Sequence, residues 1–388
     1  MNFDTILNRR DSDCLKYGVL QERWGRTDLL PLWVADMDFA TPDFILQTLR
    51  QRFDHPVLGY TSQHPDWRPS IIEWQKKHHD YQVQPNELIF IPGIVRGIAF
   101  ALQTFTAPGD KVMVFAPVYH PFFLVTEHNG REVVRHPLVL TEENRYELDF
   151  NLLREQLKGV KVLVLSNPHN PGGRVWSAEE LRQIAHLCHE SGTLVISDEI
   201  HADLTFHPYH HTPFATVSKE AREGSITFGS PSKAFNCPGI ISSYSIIHND
   251  LIRRKFRAYL SASELNEGNM FAQLTTVSAY RLGEEWLGEV KAYIADNIRF
   301  VEQYLSENIP QIKPMHPEAS YLIYLNCRAL ELTHEALLDL FIDKAHLALD
   351  DGQKFGPEGT GFMRLNVATP RSILEQALHQ LKNALSSM

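Results

Sequence analysis

Four apolar runs, each ending in polar residues, most restrict the fold of this chain: KVMVFAP (111–117), VKVLVLSNP (160–168), TLVISDE (193–199) and SITFGSPSK (225–233). Almost unbroken apolar runs of this length suit strands covered on both faces, as in a parallel sheet with helices above and below. The intervening sequence supports this. Ser177 and Glu180 form a capping box, and Leu181, Ile184, Ala185 and Cys188 follow at helical spacing before Gly192. Strand, helix and strand make a βαβ unit, and the class is α/β.

Past about residue 275 the texture changes. EEWLGEVKAYIADNIRFVEQYLSEN (284–308) predicts one long helix, SYLIYLNC (320–327) and GFMRLNVAT (361–369) predict isolated strands, and RSILEQALHQLKNALSS (371–387) predicts a closing helix. This is the pattern of a smaller α+β unit, which the N-terminal segment is expected to join. A length of 388 residues suits two domains.

A net charge of −10 argues against nucleic acid as a main partner. Four scattered cysteines (Cys14, Cys188, Cys237, Cys327) form no CxxC pair and suit a reducing compartment. The first eighteen residues hold no apolar leader core, and no apolar stretch approaches the ~20 residues of a membrane helix. The expectation is a cytoplasmic protein without a membrane partner.

Open α/β sheets bind ligands beyond the carboxyl ends of their strands. Those ends carry Gly93 after LIFIP, Tyr119 after 111–117, Asn170 in SNPHNPGG, Asp198 and His201 in SDEIH, and Ser230, Ser232 and Lys233 in GSPSK. Singly, each has a plainer reading: a turn for Asn170, an N-cap for Asp198, a snorkelling lysine for Lys233. Together they meet the demands of pyridoxal 5'-phosphate (PLP). That cofactor needs an amine for a Schiff base, a carboxylate for its ring nitrogen and a donor for its phenolate oxygen. It also needs a cover for its ring, and a helix start with hydroxyls for its phosphate.

The chain resembles the fold-type I, aspartate aminotransferase-like PLP enzymes, and within them the MalY/PatB group of cystathionine β-lyases. The resemblance rests on LLPLWVADMDFATP (29–42), GYT (59–61), APVYHPF (116–122), SNPHNPGGRVW (166–176), VISDEIHADL (195–204), SPSKAFN (230–236) and FGPEGTGFMRLNVATPR (355–371). It implies a large α/β domain over 40–275, with a mostly parallel seven-stranded sheet, and a small α+β domain from 1–39 and 276–388. It makes Lys233 the Schiff-base lysine carrying PLP as an internal aldimine, and Asp198 the ring-nitrogen partner. Asn170 would bond the phenolate oxygen, with Asn170–Pro171 a candidate cis peptide. Tyr119 would stack on the ring and complete a catalytic set with Lys233 and Asp198. His201 stands where many relatives have a tyrosine.

The phosphate would take backbone N–H groups of Gly93, Ile94 and Val95 and the hydroxyls of Ser230 and Ser232. Tyr60 would reach the phosphate of a neighbouring subunit, which implies a homodimer with shared active sites. Arg364 would clamp the substrate carboxylate, with Asn170 and the backbone of Ala35 beside it. One departure stands out: many aminotransferases place a phosphate-binding arginine shortly after the lysine, where this chain has Gly239, Ile240 and Ile241.

The implied reaction is α,β-elimination of cystathionine or a related L-cysteine S-conjugate to a thiol, pyruvate and ammonia, with a place in methionine biosynthesis. An aminotransferase is the alternative, because both reactions share these residues until a carbanion has formed. A PLP-fold protein without turnover is a weaker reading, since a retired site has no need of Lys233, Asp198, Asn170 and Arg364 together. No metal site is expected. Nineteen histidines include a cluster at His207, His210 and His211, but there is no HExxH and no zinc-type Cys/His spacing. The cluster reads as exposed loop, and His78–His79 as the polar face of a helix.

Overall fold

The computed structural model describes residues 1–265 and 267–387. A seven-stranded sheet runs, in spatial order, through Leu88–Ile91, Ser243–Ile246, Ser225–Gly229, Leu194–Asp198, Val160–Ser166, Lys111–Ala116 and Glu132–Pro137. Every pairing from Ser225–Gly229 to Glu132–Pro137 is parallel. Ser243–Ile246 is the reversed strand, antiparallel to both neighbours.

The apolar runs divide by twos between the two faces of this sheet. Val112, Val114, Val162, Val164, Ile196 and Ile226 enter one core with Ile98, Ala101 and Leu102 of the helix Ile94–Phe105. Met113, Phe115, Leu163, Leu165 and Val195 enter the other with Leu181, Ile184 and Cys188 of the helix Ala178–Ser191. Alternation sends successive side chains to opposite faces, and both faces are covered, so the runs are almost wholly apolar, with Lys161 exposed near the start of one and the small hydroxyls of Ser197 and Thr227 buried in two others. The helix Ala178–Ser191 starts with the reciprocal Ser177–Glu180 capping box and ends at Gly192 in the left-handed region.

A second, four-stranded antiparallel sheet is ordered Lys313–Met315, Leu322–Asn326, Phe362–Asn366, Asp350–Asp351. The helices Glu284–Asn308 and Arg371–Ser386 share a core with it through Val290, Ile294, Ile298, Leu374, Leu378 and Leu381. The N-terminal segment joins this layer, because Leu30–Pro31 pairs in parallel with Leu347–Ala348 and the Asn366 N–H donates to the Leu32 carbonyl. Among the described residues no helix is long and apolar enough to cross a membrane.

Two expectations about histidines need correction. His211 is buried rather than an exposed loop residue, with Nε2 2.9 Å from a Glu199 carboxylate oxygen. His79 does not stand on a polar face; its Nε2 lies 2.8 Å from Asp203, and His78 stacks on Trp74. Buried carboxylates need partners, and here imidazoles supply them. His207 and His210 are exposed, as read.

Candidate active site

The sheet gathers the sequence motifs at one edge. Gly93, Ile94, Val95, Tyr119, Ser166, Asn170, Asp198, His201, Ser232 and Lys233 line one cavity of about 190 Å³. The chain enters the helix Ile94–Phe105 at Gly93 with φ 100°, a conformation that favours glycine, and a Cβ there would press on Ile241. The first N–H groups of that helix have no partner within it, so this end of the cavity suits an anion.

Ser243 also lines the cavity, and sequence reasoning missed it. The other candidates lie at carboxyl ends of strands, whereas Ser243 opens the strand of this sheet that runs backwards. Its amino end therefore lies among the others' carboxyl ends. Ser230 sits one layer behind. Its hydroxyl is 2.6 Å from the Ser242 carbonyl and 2.8 Å from the Ser232 hydroxyl, and it accepts the Ser232 N–H. Ile241 occupies the wall after the lysine, with Ser242 beside it, where the sequence departs from the arginine pattern.

Asp198 is buried, and its carboxylate accepts the Ile200 N–H at 3.1 Å. Burial pushes its carboxyl up to about 7. His201 is buried with Nδ1 unpartnered among the described residues, and burial, then Lys233 and Arg364, push it down to about 3. It is therefore a neutral imidazole at ordinary pH. Lys233 donates to the Ala35 carbonyl at 2.5 Å, and Tyr321 donates to the same oxygen at 2.9 Å. Burial, then Arg364, bring the lysine down to about 8.

A buried carboxylate that forms no ion pair among the described residues, an orphaned imidazole nitrogen, a depressed lysine and an anion-seeking helix start are together the donor set that PLP requires. The residues fit the group. Asn170 follows the same logic, since its Oδ1 accepts from Arg364 at 3.1 Å and its amide N–H₂ is left to donate. The Asn170–Pro171 peptide is cis. Tyr119 lies at the boundary between this cavity and an outer cleft of about 1290 Å³, which also reaches Lys233, Ala35 and Arg364.

Arg364 is buried on the strand Phe362–Asn366. It ion-pairs with Asp350, donates to the Trp33 carbonyl at 3.1 Å, and lies over the Phe355 ring. Asp350 is a second residue that sequence reasoning missed. Tyr60 is fully exposed, in a stretch without regular structure that takes no part in this chain's cavity.

The loop after the lysine is fastened to the N-terminal segment. Asn236, at φ 47°, accepts the Met37 N–H at 3.0 Å and donates to the carbonyls of Met37 and Phe39. Arg9 and the fully buried Lys16 hold Asp36 and Asp38 from the other side. The backbone carbonyl facing Lys233 therefore sits in a segment fixed on both flanks.

A mostly parallel α/β sheet with a lysine, a carboxylate and an arginine converging at its carboxyl edge defines a class of protein. The chain belongs to the class I and II aminotransferase family, whose profile matches residues 27–381. It is 41% identical over 388 residues to cystathionine beta-lyase PatB of Bacillus subtilis, covering 100% of both chains. It is 31% identical to protein MalY of Escherichia coli, covering 100% of this chain and 99% of that one. Among solved structures it superimposes on cystalysin from Treponema denticola, which contains a pyridoxal 5'-phosphate cofactor. The TM-score is 0.96 at 32% identity, covering 100% of this chain and 99% of that one. The PLP-bound C-S lyase from Staphylococcus hominis gives a TM-score of 0.91 at 30% identity, with 99% of each chain covered.

Proposed function

We propose that the chain is a PLP-dependent carbon–sulfur β-lyase acting on cystathionine or related L-cysteine S-conjugates. The observation that carries the reading is Lys233 in one cavity with the buried Asp198, and Arg364 reaching Asn170 of that cavity from the outer cleft, in a chain so similar to a cystathionine beta-lyase. When bound, PLP supplies an aldehyde for amines and an electron sink for a carbanion at Cα.

Each protein group has a part in that chemistry. Asp198 would hold a proton on the ring nitrogen, the buried carboxylate and the ring cation then compensating one another. Lys233 would carry the cofactor and would take the substrate α-proton on its Nζ. A value near 8 keeps part of the amine neutral at neutral pH, as proton abstraction demands. Arg364 binds the α-carboxylate with Asn170 and the backbone at Ala35 beside it, and the Asp350 ion pair fixes its direction. Asn170 and neutral His201 would donate to or face the phenolate oxygen, and Tyr119 would cover the ring. The helix start at Gly93, Ile94 and Val95, with Ser232 and Ser243 and with Ser230 bracing Ser232, would hold the phosphate in place of the missing arginine.

The site is completed by a second copy. Tyr60 stands in solvent beside the exposed Val57 and Leu58, an apolar segment suited to meet another subunit. The proposed assembly is a homodimer with Tyr60 donated across the interface. The working units are a large PLP-binding domain over 40–275 and a small domain from 1–39 and 276–388. The proposed setting is the cytoplasm, in methionine-related sulfur metabolism.

The test is a steady-state assay with L-cystathionine. Pyruvate release without a keto-acid acceptor is expected. Turnover that requires such an acceptor would replace the lyase with an aminotransferase. Arg364→Ala should weaken substrate binding far more than cofactor binding, and equal loss of both removes its assigned role.

A further inference from the structure

The outer cleft carries two charges that the chemistry above does not use. Glu22 and Arg23, on the short helix Leu20–Trp24, line the same cleft as Lys233 and Arg364. The Arg23 guanidinium lies 4.3 Å over the Trp33 ring and 5.1 Å from that of Trp24. Among the described residues neither the Arg23 guanidinium nor the Glu22 carboxylate has an ion pair or side-chain hydrogen bond. By contrast, Arg9, Asp36, Asp350 and Lys354 in and around the cleft are all paired.

Stacking on an indole holds a guanidinium by its face and leaves its N–H edge free for an acceptor. Trp33 supplies the ruler. Its ring supports Arg23 while its carbonyl accepts from Arg364 at 3.1 Å, so the two cations are one tryptophan residue apart. One cleft joins Arg364 to Arg23, so a substrate held by its α-carboxylate at Arg364 has open space for a β-sulfur substituent on the Arg23 side.

We propose that Arg23 and Glu22 form a subsite for a second amino-acid head group carried on the substrate sulfur. Arg23 takes the distal carboxylate and Glu22 the distal ammonium. Resting on the β-lyase reading, this makes the preferred substrates those joining two amino acids through sulfur, over S-alkyl cysteines.

The test uses the holoenzyme and two ligands that cannot eliminate. In 2,7-diaminosuberate a methylene replaces the sulfur of cystathionine; L-norvaline stands in the same relation to S-methyl-L-cysteine. By calorimetry, Arg23→Gln should weaken diaminosuberate about tenfold, the loss of one charge-assisted contact, and leave norvaline within about twofold. Glu22→Gln should weaken diaminosuberate alone, and less. Preserved norvaline binding shows that the variants are folded. Parallel loss of both ligands, or no change in either, overturns the subsite. If the wild-type enzyme releases pyruvate from neither sulfur substrate, the lyase reading falls, while the binding comparison still decides on Arg23.

Discussion

Asp350 and Arg364 sit opposite one another on adjacent antiparallel strands, and their side chains form an ion pair buried behind the substrate cleft. The carboxylate keeps a buried cation in place and aims its free edge at the cavity. Removing one partner of a buried pair leaves the other charge uncompensated, at about 3–5 kcal/mol. Asp350→Ala should lower unfolding free energy in urea by at least about 3 kcal/mol. It should also raise KM about tenfold, with cofactor affinity nearly unchanged. Wild-type KM would show that Arg364 needs no such guide.

Asp198 makes the cofactor-free protein sensitive to pH. Its carboxyl is raised from 3.8 to about 7, so the native state binds more protons than the unfolded chain between those values. Stability therefore falls as pH rises through that window. Thermal melts of cofactor-free wild type and Asp198→Asn should converge near pH 4. They should diverge toward pH 7, with the variant the more stable. A constant gap across pH would contradict the burial argument.

Cofactor capture should follow Lys233. The amine must shed its proton to attack an aldehyde, and burial lowers its value from 10.5 to about 8. The rate of PLP incorporation should climb through neutral pH and level off above about 8. A rise that continues to pH 10 would mean that the lysine keeps an ordinary pKa.

Asn236 offers a test that separates backbone strain from hydrogen bonding. Asn236→Gly keeps the left-handed backbone available and loses the side-chain bonds to Met37 and Phe39. Asn236→Ala loses the bonds and adds strain of about 1 kcal/mol. Both should lower stability by about 2–3 kcal/mol through the bonds, with Ala the worse. Equal losses would place the whole effect in the bonds.

Local signals made much of the fold legible. The helix Glu284–Asn308 follows its amphipathic stripe, and the strands ending at Ser166, Asp198 and Gly229 follow apolar runs that both cores bury. Ser243–Ile246 was not legible, because SYSI has no such run and its burial comes from strands distant in sequence. Asp350 lies on a two-residue strand with no periodicity to read, and its partner is fourteen residues away. The pairing of Lys16 with Asp36 and Asp38 was hidden for the same reason: a surface-like lysine becomes a core residue only when the N-terminal segment folds over it. Lys233, Asp198 and Asn170 were readable because strand ends announce themselves.

The Asn236 clamp also bears on how such a site could be moved between proteins. WVADMDF and SPSKAFN lie about two hundred positions apart, yet the second closes its loop by gripping the backbone of the first. A graft of the lysine loop alone would carry an asparagine with nothing to hold, and a graft of the N-terminal motif alone would arrive unfastened. Recombination that separates them should yield chains that fold their sheet but leave the lysine loop loose, so the two stretches behave as a single exchangeable part.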